Sequence, residues 1–241
     1  ITRGLVSLYN GVGYTPSSTT WKDEFGTNDI TGLVPNAEKG VGFTDEGWRS
    51  VGTAHNMPVA LNEVLASSEF TLEMRLGDVT PLDTATNGYV TFLCNTGSEY
   101  FSFYILLNKG ASDQLYVKTS GLGSSARPRT SSGGVDYAAN STLTITYKAG
   151  DKACLYADGV LLDTRTANAS NTSVLSNMTG LIFGHANANN DSDTVYKGFR
   201  FYTAALTAAE IAHNYAADGT ISPVVVRETD YVSDGLVSLY T

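Results

Sequence analysis

The sequence predicts an all-β fold: antiparallel sheets packed as a sandwich, with one short C-terminal helix. Three observations carry that expectation. Apolar residues fall in runs of five to eight with period-two alternation, which puts one face of each strand on a core and the other outward. Turn signals such as Asn95-Thr96-Gly97-Ser98, Ala149-Gly150-Asp151 and Asp158-Gly159 separate those runs. Only one stretch combines helical periodicity with a helix start signal. With 42% hydrophobic residues over 241 positions, the chain can bury a sizeable core, and a β-sandwich of this size can form as one domain.

The elements follow in order. Residues 4–9 read as an apolar strand, and residues 58–65 as a short turn of helix. Residues 70–76 alternate, with Phe70, Leu72, Met74 and Leu76 on one face. Residues 88–94 and 99–107 form an aromatic-rich hairpin, and 114–119 a further strand. Gly, Ser and Arg crowd residues 121–134, the composition of a long exposed loop. Residues 142–147 set Leu143, Ile145 and Tyr147 on one face and Thr142, Thr144 and Thr146 on the other. Residues 152–157 and 160–164 flank Asp158-Gly159, a type I′ turn pair. Residues 180–184 and 196–202 supply the last core strands. The predicted core holds Leu143, Ile145, Leu155, Ile182, Phe199 and Phe201. The helix starts at Thr207, whose hydroxyl is placed to cap it, with Glu210 completing a capping box and Ile211 and Tyr215 forming an apolar edge.

The chain begins twice. Gly4-Leu5-Val6-Ser7-Leu8-Tyr9 returns as Gly235-Leu236-Val237-Ser238-Leu239-Tyr240. Self-similarity at the spacing of a domain marks an array. The expected organisation is a domain over 1–217, a linker or bridging strand over 218–234, and the first strand of a following repeat over 235–241. The alternative is a pair of terminal strands that closes one sheet.

Composition excludes several classes. Fifteen basic residues against 24 acidic ones give a formal charge of −9, and such a surface repels phosphate backbones, so nucleic acid is not expected as a partner. No run of 18 apolar residues is present to insert into a membrane. Charged residues are only 16% while tyrosines number 14, which describes a neutral, hydroxyl-rich surface. Cys94 and Cys154 sit in strand-like runs and could either pair or lie buried as small hydrophobes.

Several motifs in order resemble the laminin-G-like, or concanavalin A-like, jelly-roll family. They are the opening strand with Trp21-Lys22-Asp23 and Gly26-Thr27-Asn28-Asp29, then Phe70-Thr71-Leu72-Glu73. They continue with Ile145-Thr146-Tyr147 leading to Leu155-Tyr156-Ala157-Asp158-Gly159. Ile182-Phe183-Gly184, Gly198-Phe199-Arg200-Phe201-Tyr202 and Leu206-Thr207-Ala208-Ala209-Glu210-Ile211 close the series. The resemblance covers residues 4–216 and implies two antiparallel sheets with one concave face. It also implies that Trp21 packs rather than binds. Family members often carry an acid just before the strand that here reads Gly198-Phe199-Arg200. This chain has Tyr196-Lys197 there, so conclusions that need the acid do not carry over.

Catalytic constellations are hard to find in the sequence. Retaining glycosidases need two carboxylates ~5 Å apart on one face, which alternate strand positions deliver. The acid pairs Asp23-Glu24 and Asp45-Glu46 are adjacent instead, and no G-x-S-x-G elbow is present. The expectation is therefore that the chain is not an enzyme. The expected role is a non-catalytic carbohydrate- or cell-surface-binding module, one repeat of a larger extracellular, cell-surface or virion protein. A purely structural repeat, such as a stalk or a phage tail or capsid decoration unit, is the alternative, and a glycoside hydrolase or polysaccharide lyase is the less favoured one. Expected partners are a glycan or cell-surface polysaccharide and neighbouring repeats. The candidate ligand-binding residues are Trp48, His185, Asn187, Asn189, Tyr104 and Tyr116. Trp48 reads either as an exposed stacking surface or as a core plug beneath a loop. Residues 186–193 concentrate side-chain oxygens, with Asp191 and Asp193 as candidate Ca2+ ligands, although a plain solvated turn or a sugar-contacting loop is the favoured reading of the stretch.

Overall fold

The alternation seen in the sequence becomes antiparallel ladders in the computed structural model, which describes residues 2–81, 88–95, 101–107, 114–119, 141–167, 180–184 and 192–220. Strand β1 (Leu5–Asn10) is followed by β2 (Thr20–Trp21), β3 (Ile30–Thr31), β4 (Gly42–Phe43), β5 (Trp48–Val51) and β6 (His55–Asn56). Helix α1 (Ala60–Leu65) leads into β7 (Glu69–Pro81), β8 (Gly88–Asn95), β9 (Phe101–Leu107) and β10 (Gln114–Thr119). Then come β11 (Thr142–Lys148), β12 (Lys152–Ala157), β13 (Val160–Thr166), β14 (Leu181–Phe183), β15 (Ser192–Tyr202) and helix α2 (Ala208–Thr220).

The larger sheet runs β13-β12-β11-β7-β15-β5-β4, and the smaller runs β10-β9-β8-β14-β6. Strand β15 is long enough to hold two neighbours on one edge. Its residues 193–196 pair with β5, and residues 198–202 pair with β1. Every one of these ladders is antiparallel, as period-two patterning with separate faces requires. The turn at Asp158-Gly159 has positive φ at both residues, 51° and 77°, which is the I′ geometry its sequence predicts.

The sheets meet on one aromatic core. Leu72, Met74, Leu143, Ile145, Leu155, Phe199 and Phe201 are buried from the larger sheet, each contributing about 1.5–3 kcal/mol by its removal from water. Phe183 reaches across from β14, its ring 5.4 Å from Phe199 and 5.1 Å from Tyr196. Ile182, expected in the core, is only half-buried, while Leu181 and Phe183 on either side are buried. A shift of one residue moves every side chain of a strand to the other face, and a three-residue strand carries too little pattern to set that phase.

Helix α2 changes the other face of the larger sheet. The capping box forms as its sequence predicts: Glu210 N–H donates to Thr207 Oγ1 at 3.3 Å, and Thr207 N–H donates to Glu210 Oε2 at 2.7 Å. Arg3 grips the same carboxylate with two 2.9 Å bonds, and that guanidinium above all holds the Glu210 carboxyl down at about 2. Behind the cap, Leu206 and Ile211 pack on Tyr156 and Tyr202, with Leu5 and Cys154 at the margin. Thr142, Thr144 and Thr146 are consequently buried rather than presented outward. The helix also runs on to Thr220, past the expected domain boundary at 217, and Asp218 in its last turn pairs with Arg200. Cys154 is a half-buried free thiol.

The first loop is pinned by Asp23. Its Oδ1 accepts the backbone N–H groups of Leu8, Phe25 and Gly26 at 3.0, 3.1 and 2.9 Å, and its Oδ2 accepts that of Asn28 at 3.1 Å. Trp21 is fully buried and donates its indole N–H to the Asn10 carbonyl at 2.8 Å. The Trp-Asp segment is thus a fastening between β1 and its loop, in keeping with the packing role that the resemblance implies for Trp21.

A buried histidine adds acid sensitivity. His55 accepts the Trp48 indole N–H at Nε2 over 3.1 Å, and burial lowers its pKa from 6.5 to about 4. The folded protein therefore keeps this ring neutral where the unfolded chain takes up a proton. Its contribution is complete above pH 6.5 and is lost as pH falls towards 4, amounting to on the order of 3 kcal/mol. Urea unfolding between pH 7 and 4.5 should show that loss in the wild type, and a His55→Gln variant should show a shallower slope over the same window.

Candidate functional site

One corner of the larger sheet gathers charge into a cleft. The β4–β5 hairpin turns tightly because Thr44 Oγ1 accepts the N–H groups of Glu46 and Gly47, both at 3.2 Å, while its hydroxyl donates to the Gly47 carbonyl. That turn presents Asp45 and Glu46 to solvent. Strand β5 then alternates: Trp48 and Ser50 are buried, whereas Arg49 between them points out. Across the ladder Arg49 faces Val195, with Asp193 two residues along β15 on the same face. The guanidinium takes both oxygens of Asp193, Nε–H donating to Oδ1 at 2.8 Å and an Nη2 hydrogen to Oδ2. Forked pairing of this kind orients as well as binds.

Thr44, Asp45, Glu46, Arg49, Asp78, Asp193 and Val195 line a cleft of about 450 Å³. At its edge Lys197 Nζ lies 3.0 Å from Glu46 Oε2. That pair crosses over Gly77, where an added Cβ would lie 3.0 Å from Glu46 Oε2 and 3.1 Å from Lys197 Cε. Four carboxylates and one guanidinium make the lining formally −3, or −2 with Lys197 at its edge, so the cleft favours cationic groups and disfavours anions. Among the described residues no group of three or more His, Cys, Asp or Glu side chains is disposed to hold a metal ion.

The sequence-predicted site residues distribute unevenly around this corner. Trp48 is not a rim aromatic. It is fully buried, packed edge-on to Phe43 at 5.0 Å, so it cannot stack on a ligand. The neighbouring Arg49 is the side chain that strand alternation turns outward. Asp193 lies on β15 rather than in a loop, with both oxygens facing Arg49. Tyr104 and Tyr116 are direct cross-strand partners on β9 and β10 of the smaller sheet, far in the topology from the cleft. Their side chains fall outside the described residues, as do His185, Asn187, Asn189 and Asp191. Sequence reasoning missed Arg49 and Asp78. The available signal was the outward phase of β5 once Trp48 is assigned to the core.

A family model described as Laminin_G_3, concanavalin A-like lectin/glucanases superfamily, matches residues 52–212, more than half of the chain. The chain belongs to this family. No curated protein matches the sequence. Among solved structures, this laminin-G-like domain is similar to Trypanosoma rangeli sialidase in complex with sialic acid, at 16% identity and a TM-score of 0.63. That likeness covers 90% of this chain and 33% of the sialidase, so the domain spans about a third of the sialidase's length. The binding domain of Botulinum neurotoxin DC, in complex with rat synaptotagmin II, matches at 12% identity and a TM-score of 0.57, over 90% of this chain and 52% of that one. A structure described as the receptor binding domain matches at 12% identity and a TM-score of 0.53, over 70% and 42%. At these identities the likeness is one of fold. It nonetheless corrects the expectation that the chain is not an enzyme: chains with this fold include sialidases, and the lack of alternating acids in the sequence does not exclude catalysis. Among the described residues no helix is long and apolar enough to cross a membrane.

Proposed function

We propose that this domain binds glycans at a cell surface through the Arg49–Asp193 cleft, with a preference for neutral or amino sugars over sialylated or sulfated ones. The observation that supports this reading is a forked guanidinium–carboxylate pair, fixed on two adjacent strands and flanked by the exposed carboxylates of Asp45, Glu46 and Asp78. Vicinal sugar hydroxyls each offer a donor and an acceptor, and a rigid cluster of complementary groups holds them with little ordering cost. The formal −3 of the lining sets the preference. The family's lectin-like fold and the binding domains among its structural neighbours support a recognition role. In the same reading the domain is one repeat of a larger extracellular, cell-surface or virion protein.

The full chain applied to a glycan array should retain neutral hexose or amino-sugar glycans and leave acidic ones unbound. Arg49→Ala should reduce retention at least tenfold with the circular dichroism unchanged. The array is run with and without millimolar Ca2+, because the oxygen-rich stretch 186–193 ends at Asp193 on the cleft. Preferential retention of sialylated glycans, or full retention by Arg49→Ala, would place recognition elsewhere.

A further inference from the structure

The six residues that the chain repeats are the six that the β1 position reads. Gly4 has φ +73°, and a Cβ there would lie 2.8 Å from the Ala204 Cβ, so the entry of the slot needs glycine. Leu5 packs at the margin of the Tyr156, Tyr202, Leu206 and Ile211 cluster, and Val6 packs on the main core. Ser7 is fully buried, and its Oγ accepts an Asn28 Nδ2 hydrogen at 2.8 Å. Leu8 donates its N–H to Asp23 and accepts the Glu24 N–H at 2.8 Å. Tyr9 is fully buried, set edge-on to Trp21, Phe199 and Phe201 at 6.1 to 6.5 Å, and its hydroxyl donates to the Asn28 carbonyl. Gly235, Leu236, Val237, Ser238, Leu239 and Tyr240 repeat this set without a change. At the next position the slot uses the Asn10 carbonyl, which accepts the Trp21 indole N–H, and Thr241 supplies a carbonyl equally well.

We infer that the groove beside β15 residues 198–202 is a strand-acceptor site whose second occupant is the chain's own segment 235–240. Among the described residues β1 pairs with β15 alone, along the edge formed by residues 198–202, so its departure breaks a single ladder, whereas a central strand would break two. The remaining difference between the two claimants ranks them. Arg3 precedes the first copy and bonds Glu210, whereas Asp234 precedes the second and would face that carboxylate. The first copy therefore holds the slot, and the second fills it when the first is withdrawn. In a protein carrying several such units, the same groove would let neighbouring units exchange strands. This inference does not depend on the identity of the ligand.

The test is a chain lacking residues 1–9, followed by hydrogen-exchange mass spectrometry. The expected result is a folded protein in which residues 235–240 are protected at least tenfold more than in the intact chain, and which unfolds when Tyr240→Ala is added. Size-exclusion chromatography shows whether the donor is the same chain or a second copy. A second variant, the same deletion with Asp234→Arg, restores a partner for Glu210 and should raise the melting temperature further. If neither deletion variant folds, or if they fold with 235–240 unprotected, the slot belongs to β1 alone and the inference fails.

Discussion

Replacing Arg200 by alanine is expected to cost about 3–5 kcal/mol, because it strands a buried carboxylate without its partner. Arg200 and Glu73 are 2% and 1% exposed and face each other across β15 and β7. Arg200 binds both oxygens of Asp218 and lies 3.4 Å from Glu73 Oε2, which also accepts from Tyr202 at 3.1 Å and Asn214 at 2.9 Å. Together these contacts tie α2 to the sheet it covers. Burial pushes the Glu73 carboxyl above its ordinary value even with Arg200 present, and removing the cation would push it further. A carboxyl raised in the folded state stabilises at low pH and loses that contribution as pH rises through its folded value. The Arg200→Ala defect should accordingly be larger at pH 8 than at pH 5, as read from urea midpoints. A defect of the same size at both values would mean that packing, and not the orphaned charge, sets the loss.

Trp48→Ala is expected to remove about 3–5 kcal/mol as well, by a different route. Trp48 fills the space between Phe43 and His55, and its N–H satisfies the His55 ring. Alanine leaves a void and removes one of the two partners of the buried His55 Nε2, the other being Ser50 Oγ at 3.2 Å. Trp48→Phe should recover most of the packing but not the hydrogen bond, giving an intermediate loss in thermal unfolding. Since Arg49 follows Trp48 on the same strand, either change should also loosen the cleft. Reduced glycan retention by Trp48→Phe would then be an indirect effect, and Arg49→Ala is the cleaner probe of binding.

Much of the sandwich was legible from residues 142–166. The alternation of Leu143, Ile145 and Tyr147, the Asp158-Gly159 turn and the alternation through Leu155 are local signals, and local geometry is enough to realise them. The capping box at Thr207 and Glu210 is of the same kind. The cleft was not legible in this way. Asp45-Glu46, Arg49, Asp78 and Asp193 come from a turn and three strands, and their meeting depends on β15 lying between β5 and β7. Trp48 shows the limit at a single residue. A tryptophan between Gly47 and Arg49 reads as loop or core from sequence, and only the phase of β5 against β15 turns it inward.

By itself the sequence determined the fold family, the longer strands outside residues 20–56, the helix start and the repeated hexapeptide, because each is a relation between residues close in the chain or identical in kind; the short strands β2 to β6 carry too few residues to show a period. Tertiary structure decided which faces are covered. Helix α2 closed over Thr142, Thr144 and Thr146, converting a polar strand face into a buried one, and it drew Asp218 back onto Arg200. No periodicity announces such a cover, since a threonine face suits water and a hydrogen-bonded interior equally. Charge pairing across distant strands, with the cleft it creates, followed from the same long-range packing.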